Sequence, residues 1–216
     1  RRQAPGGALR LSNGRDGEWS ARVGSSGREA AARVDSQLRA QAAEGDLWLA
    51  FAPIKRQAFD LVAQKASELG VSCLIPVLTE RCQATRVNTD RLRAIAIEAA
   101  EQSERLSVPK VTDPFPFARF LAEWPRTRVL LAGDETGHGR PLAEVAPPLA
   151  GRSLGILIGP EGGFAPAELD ALGAEAFVSK IDLGPRVLRA DTAAIAALAI
   201  LQALAGDWRV GLAVRR

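Results

Sequence analysis

The chain has no methionine, a single histidine, two cysteines and only four lysines among its 216 residues. Each scarcity narrows the chemistry. Cys73 and Cys82 have no histidine or further cysteine at metal-ligand spacing, which argues against a zinc centre or a Cys/His nucleophile pair; no metal is expected, and a reducing, cytoplasmic setting fits. His138 lies in a glycine-flanked turn and reads as solvent-facing rather than as a general base. Long apolar runs are also missing: Ile195 to Leu201 is alanine-rich and far short of a bilayer span, so no signal peptide, transmembrane helix or membrane partner is expected. The chain opens Arg1-Arg2 in mid-pattern with no initiator residue, and a missing or disordered beginning is expected.

What remains is a globular composition. With 47% apolar and 25% charged residues, the chain can bury the core of one α/β domain and a small second module. The net charge is +3, the isoelectric point about 9.3, and the cationic side chains are mostly arginine, whose planar donor fork suits phosphate and base edges. Composition alone therefore admits a nucleic-acid partner without proving one.

Residues 1–50 read as short strands joined by turns: Ala8 to Leu11, a turn at Asn13-Gly14, Glu18 to Val23, Val34 to Arg39 and Leu47 to Phe51, with a loop over Gly24 to Gly27. These carry too few apolar residues for an independent core, which predicts part of a small barrel whose first strand or strands lie upstream. From Pro53 the pattern alternates between helix and strand. A helix over Gln57 to Leu69 stops at Gly70, and Val71 to Leu78 follows as a strand. Asn88 or Thr89 is expected to cap a helix through Leu92, Ile95, Ala96, Ala99 and Ala100. Val108 to Val111 is a short strand and Phe117 to Glu123 a short helix. Arg128 to Ala132, Leu154 to Ile158 and Ala176 to Val178 are further strands. One helix opens at Ala165-Pro166, and the last, capped by Asp191, runs through Leu204 to a stop at Gly206. This order predicts a mostly parallel sheet covered on both faces.

Two glycine-rich turns are the most informative features. Gly159-Pro160-Glu161-Gly162-Gly163 follows one apolar strand, and Leu183-Gly184-Pro185-Arg186-Val187-Leu188-Arg189 follows another. No lysine-serine pair trails the first, so it is not a phosphate loop. Both are predicted to meet at one end of a single sheet and hold a small ligand. The competing readings are a tight turn that needs glycine for geometry and, for Arg186 and Arg189, solvated loop charges. Glu135 is a candidate rim residue, and Glu98 and Gln102, four apart on one helix face, a candidate buried polar cluster.

Several segments together resemble the ribosomal RNA small subunit methyltransferase E family: Gln64 to Val71, Glu80-Arg81-Cys82, Glu98-Ala99-Ala100-Glu101-Gln102-Ser103, Gly159 to Gly163 and Leu183 to Arg189, in the family's order across residues 45–210. The resemblance implies a SPOUT-type, trefoil-knotted α/β domain over residues 51–216, preceded by an incomplete PUA-like β-barrel over 1–50. It implies a homodimer that transfers the methyl group of S-adenosyl-L-methionine to N3 of a uridine in 16S ribosomal RNA, free or in the small subunit. Carried over by position, Leu131, Ala132, Gly159, Glu161, Gly162, Leu183, Gly184 and Leu188 would line the cofactor pocket. Leu188 would offer its backbone amide to the adenine edge. Arg189 would stabilise charge developing on a uracil oxygen, with Arg186 binding phosphate or uracil. Arg15, Arg22, Lys55 and Arg56 are candidate phosphate contacts. This chain departs from the family pattern at Ala190-Asp191-Thr192, where the acid is usually the longer glutamate, at Gln64, and in lacking the barrel's opening strand. Two alternatives stay open: a non-catalytic RNA-binding protein using the same basic surface, and a related knotted enzyme that modifies transfer RNA.

Overall fold

In the computed structural model, residues 4–25, 31–82, 84 and 86–209 are described. Strands β1 (Ala8–Ser12), β2 (Glu18–Ser25) and β3 (Ala31–Arg39) form an antiparallel sheet in the order β1-β2-β3. The β1–β2 turn forms because Asn13 Oδ1 accepts the backbone N–H groups of Arg15 and Asp16, at 3.0 and 2.9 Å. Within this sheet Ala21 is the buried apolar residue, while β3 is exposed from Ala31 to Leu38. The sheet thus has little core of its own. Of the loop expected over Gly24 to Gly27, Gly24 and Ser25 continue β2, and Ser26 and Gly27 lie outside the described residues.

The remaining strands are β4 (Leu47–Phe51), β5 (Cys73–Leu78), β6 (Lys110–Val111), β7 (Phe115–Pro116), β8 (Val129–Gly133), β9 (Arg140–Pro141), β10 (Leu154–Ile158) and β11 (Val178–Asp182). They form one sheet in the order β6-β5-β4-β10-β8-β11-β9, with β7 also on β5, and every pair is parallel. The helices are α1 (Arg56–Glu68), α2 (Thr89–Gln102), α3 (Phe117–Glu123), α4 (Leu142–Val145), α5 (Pro166–Gly173) and α6 (Ala190–Leu204).

Both faces of the parallel sheet are covered, as the sequence pattern predicts. Alternate strand residues divide between two cores. Leu49, Phe51, Leu131, Ile156 and Ile158 join Phe59 and Val62 of α1, Leu92 and Ala96 of α2, and Ala194, Leu198 and Leu201 of α6. Ala50, Leu130, Ala132 and Leu157 face the other way, onto Phe117 and Phe120 of α3, Trp124, Phe164 and Leu172 of α5.

Three local expectations change. Leu47–Phe51 is not part of the N-terminal strand group: it pairs with β5 and β10, so the large sheet begins before residue 50. Its run Leu-Trp-Leu-Ala-Phe is apolar at every position, the pattern of a strand buried on both faces rather than of a half-exposed barrel strand. The strand expected over Ala176 to Val178 instead runs Val178–Asp182; only Ile181 in it is fully buried, because β11 lies next to the edge strand β9 and carries polar side chains. Asp191 does not cap α6. Arg189 holds the N-cap position without a side-chain hydrogen bond, and Asp191 lies in the first turn, where its charge complements the helix dipole. Asn88 does cap α2, accepting from Arg91 N–H at 2.9 Å.

Candidate functional site

Three neighbouring strands end level with one another. Leu157 of β10 pairs with Ala132 of β8, and Ala132 pairs with Lys180 of β11. The chain therefore leaves the carboxyl edge of the sheet at three adjacent places: after Ile158, after Gly133 and after Asp182. With strands spaced by ~4.8 Å, the two glycine-rich turns start ~10 Å apart on either side of β8. Leu183 and Ala190, at the two ends of the second turn, pack on the same core as Leu131 and Ile158.

The first turn is shaped by glycine. Gly163 has φ +70° and donates its N–H to Pro160 O at 2.9 Å. A Cβ on Gly159 would lie 2.9 Å from the ring of Phe164, which is buried beneath the turn. Other loops hold it from outside. Phe164 N–H donates to Glu135 Oε1 at 3.0 Å, and Arg81 Nη1 donates to the carbonyls of Gly162 and Phe164, each at 3.3 Å. Glu168 of α5, buried, accepts from Glu80 N–H and Ala165 N–H, both at 2.9 Å.

The second turn is more open. Gly184 has φ +104° with nothing within 4 Å of where a Cβ would stand, and its N–H is held by Asp182 Oδ1 at 3.0 Å. Leu183 and Leu188 are half-buried, whereas Val187 is 84% exposed. Among the described residues no hydrogen bond engages the backbone of Val187 or Leu188. Peptide donors and acceptors beside leucine side chains, with no lysine among them, suit the edge and face of an uncharged heterocycle rather than a phosphate.

The residues singled out from the sequence fall as follows. Leu131 and Ala132 are buried in β8 below the turns and face opposite cores. Gly159, Glu161 and Gly162 lie in the first turn, the latter two exposed; Leu183, Gly184 and Leu188 lie in the second, with Arg186 and Arg189 exposed. Lys55 and Arg56 are exposed at the start of α1. They follow β4, whose next residue Ala52 donates to Ile158 O at 3.0 Å, so they share the edge of the turns. Arg15 is exposed in the β1–β2 turn, and Arg22 pairs with Asp35 at 3.2 Å. Glu98 and Gln102 are both exposed, so the expected buried polar cluster does not form: that side of α2 faces away from Leu92, Ala96 and Ala99. His138 is exposed, its Nδ1 2.8 Å from Thr136 Oγ1.

Sequence reading missed three residues that fix the loops at this edge of the sheet, Arg81, Glu168 and Asp134. Arg81 stood inside a family-like segment without a role. Glu168 had a local signal, a glutamate at the third helical position, which is the spacing of a capping box. Asp134 had none; it is buried, its Oδ1 accepts from Thr136 N–H at 2.9 Å, and its Oδ2 lies 3.9 Å from Lys180 Nζ. Among the described residues no group of acids, histidines or cysteines is placed to hold a metal ion, and no helix is long and apolar enough to cross a membrane.

A parallel sheet whose carboxyl edge carries two neighbouring glycine-rich turns defines the class, and the family model for the RNA methyltransferase domain matches residues 41–202. A Rickettsia conorii protein named ribosomal RNA small subunit methyltransferase E is 35% identical over 197 residues, spanning 91% of this chain and 80% of that one. The chain belongs to the ribosomal RNA small subunit methyltransferase E family. The solved Neisseria gonorrhoeae member, bound to S-adenosyl methionine, is similar at a TM-score of 0.85 and 28% identity, over 95% of this chain and 86% of that chain. A Legionella pneumophila structure in complex with the bound cofactor SAM is similar at 0.83 and 30% identity, over 93% and 84%. The chain spans 52% and 62% of two further curated relatives of that name.

Proposed function

We propose that this chain transfers the methyl group of S-adenosyl-L-methionine to N3 of a uridine in 16S ribosomal RNA. The observation that carries the reading is the shared edge of the two glycine-rich turns, in a chain similar to two solved structures that hold that cofactor. The chemistry of the turns fits the group. Unengaged peptide groups at Val187 and Leu188 match the edge of adenine, Leu183 and Leu188 its face, and the open space at Gly184 admits a close approach. Gly159, Glu161 and Gly162 form the opposite wall, and Leu131 and Ala132 support the floor.

When bound, the cofactor supplies an electrophilic methyl on a sulfonium. The chain's own part is to bind, orient and polarise the base. Uridine N3 is a weak acid, and a cation beside a uracil oxygen lowers the cost of losing its proton. Arg189 takes that role, since it stands at the N-cap of α6 next to Leu188 and forms no ion pair among the described residues. Arg186, two residues before Leu188 and exposed, binds phosphate or uracil. Lys55 and Arg56 on the same edge, with Arg15 and Arg22 on the N-terminal sheet, contact RNA phosphates. The target base enters unstacked.

The finer fold belongs to the same proposal: a SPOUT-type trefoil knot in the parallel sheet, and a partial PUA-like barrel in the three-stranded sheet. The strand order, with β10 inserted between β4 and β8, and the largely exposed β3 support it. Action as a homodimer in the cytoplasm, with the alanine-rich α6 at the partner surface, is a further part of the proposal. Two measurements test the function: nucleoside mass spectrometry of small-subunit rRNA from cells with and without the protein, and calorimetry with S-adenosyl-L-methionine. N3-methyluridine that persists in the deletion strain overturns the assigned reaction, and absence of cofactor binding overturns the enzyme class.

A further inference from the structure

We infer that Glu135 and Arg81 are positioning residues that clamp the Gly159–Phe164 turn in its cofactor-binding shape, an inference that rests on the cofactor reading above. The two side chains hold the peptide groups on either side of Phe164. Glu135, from the loop after β8, accepts the Phe164 N–H at 3.0 Å. Arg81, from the loop after β5, donates to Phe164 O and Gly162 O at 3.3 Å each. Within the turn the only backbone hydrogen bond among the described residues is Gly163 N–H to Pro160 O.

That single bond leaves much freedom. Gly162 and Gly163 carry no Cβ and populate many backbone conformations with little bias, so the conformation presented to a ligand has to be imposed from outside. From below it is fixed by the Phe164 ring, buried 6.2 Å from that of Phe117. From the sides it is fixed by the carboxylate and the guanidinium. A Cβ on Gly163 would lie 2.1 Å from Glu135 Oε1, so the carboxylate fills the space a side chain would need. Glycine at 163 and glutamate at 135 are one device.

Both Glu135 and Arg81 are exposed, so truncating either opens no cavity in the two cores. Their loss is expected in ligand affinity and not in folding. The experiment titrates wild type, Glu135→Ala, Glu135→Gln and Arg81→Ala with S-adenosyl-L-methionine by calorimetry, with melting temperature and steady-state methylation measured alongside. Glu135→Ala and Arg81→Ala should each raise the cofactor Kd and KM by about tenfold, the size of one lost charge-assisted hydrogen bond, while kcat and melting temperature hold. Glu135→Gln keeps an oxygen acceptor and should stay within about twofold of wild type. An unchanged Kd in Glu135→Ala, or a Kd loss that tracks a fall in melting temperature, overturns the clamp. Wild-type protein that does not bind the cofactor overturns the underlying reading instead.

Discussion

Glu168 Oε1 accepts a hydrogen bond from the backbone N–H of Glu80, 88 positions earlier in the chain, at 2.9 Å. Its other oxygen accepts from Ala165 N–H at the start of its own helix, also at 2.9 Å. One buried carboxylate thus ties the loop after β5 to the mouth of α5. Glu168→Ala leaves both amides without an acceptor and should cost about 2–3 kcal/mol in urea unfolding, while Glu168→Gln, which keeps one oxygen, should cost less than half of that. Equal losses in the two variants would show that packing, not hydrogen bonding, is what the residue provides.

Gly155 faces Trp124 so closely that a Cβ there would stand 2.4 Å from Cη2 of the indole. The ring has little room to yield: its Nε1–H donates to Arg128 O at 2.9 Å, and it meets Trp48 edge-on at 5.6 Å. Gly155→Ala should destabilise by about 1–3 kcal/mol, the cost of overpacking a filled core. Combining it with Trp124→Leu should cost less than the two single changes added, because the second removes what the first strikes. Strict additivity would remove the steric explanation.

The acid limb of stability should report on Asp46. Burial alone raises its pKa, but hydrogen bonds from Arg128, Ser153 and Ser72, with the Arg128 charge, outweigh that and hold the carboxyl below its ordinary range. A carboxyl whose pKa is lowered by folding contributes stability that is present above its unfolded pKa and disappears as pH falls through the folded one. The stability difference between wild type and Asp46→Asn should therefore be constant above about pH 5 and shrink below about pH 4. Arg128 is buried, hydrogen-bonded to Asp46 and Leu154 carbonyls, and stacked 3.7 Å over Trp48. A gap that widens toward low pH in denaturant titrations would reverse the sign of this argument.

Arg189→Ala separates binding from chemistry. If its guanidinium stabilises charge on the base, kcat should fall about a hundredfold with cofactor affinity within about twofold of wild type. Near-normal methylation with retained binding would remove Arg189 from the reaction.

Much of this protein could be read along the chain. The helix at Arg56–Glu68 was legible because Phe59, Val62 and Ala66 recur at helical spacing, and the Leu154–Ile158 strand because a short apolar run ends at glycine. Asn88 announced the start of α2 by its residue type. The strand at Val178–Asp182 is expected two residues too early at its start and four at its end, because only Ile181 in it is fully buried, which leaves no periodic signal to find. Asp191 looked like a cap for the same reason that Asn88 did; residue type alone does not fix whether a position lies just outside a helix or in its first turn.

By itself the sequence determined the local units: which segments are helix or strand, where the chain must turn at glycine, and that the first glycine-rich turn lacks the phosphate-loop motif. It did so because those properties depend on residues within a few positions of one another. Only the tertiary structure decided that β8 lies between β10 and β11 and that β4 joins them. That order buries both faces of the central strands β5, β4, β10 and β8 at once, a collective condition that no short segment encodes. It brings Arg81, Glu135 and Glu168 around a single turn from three distant parts of the chain.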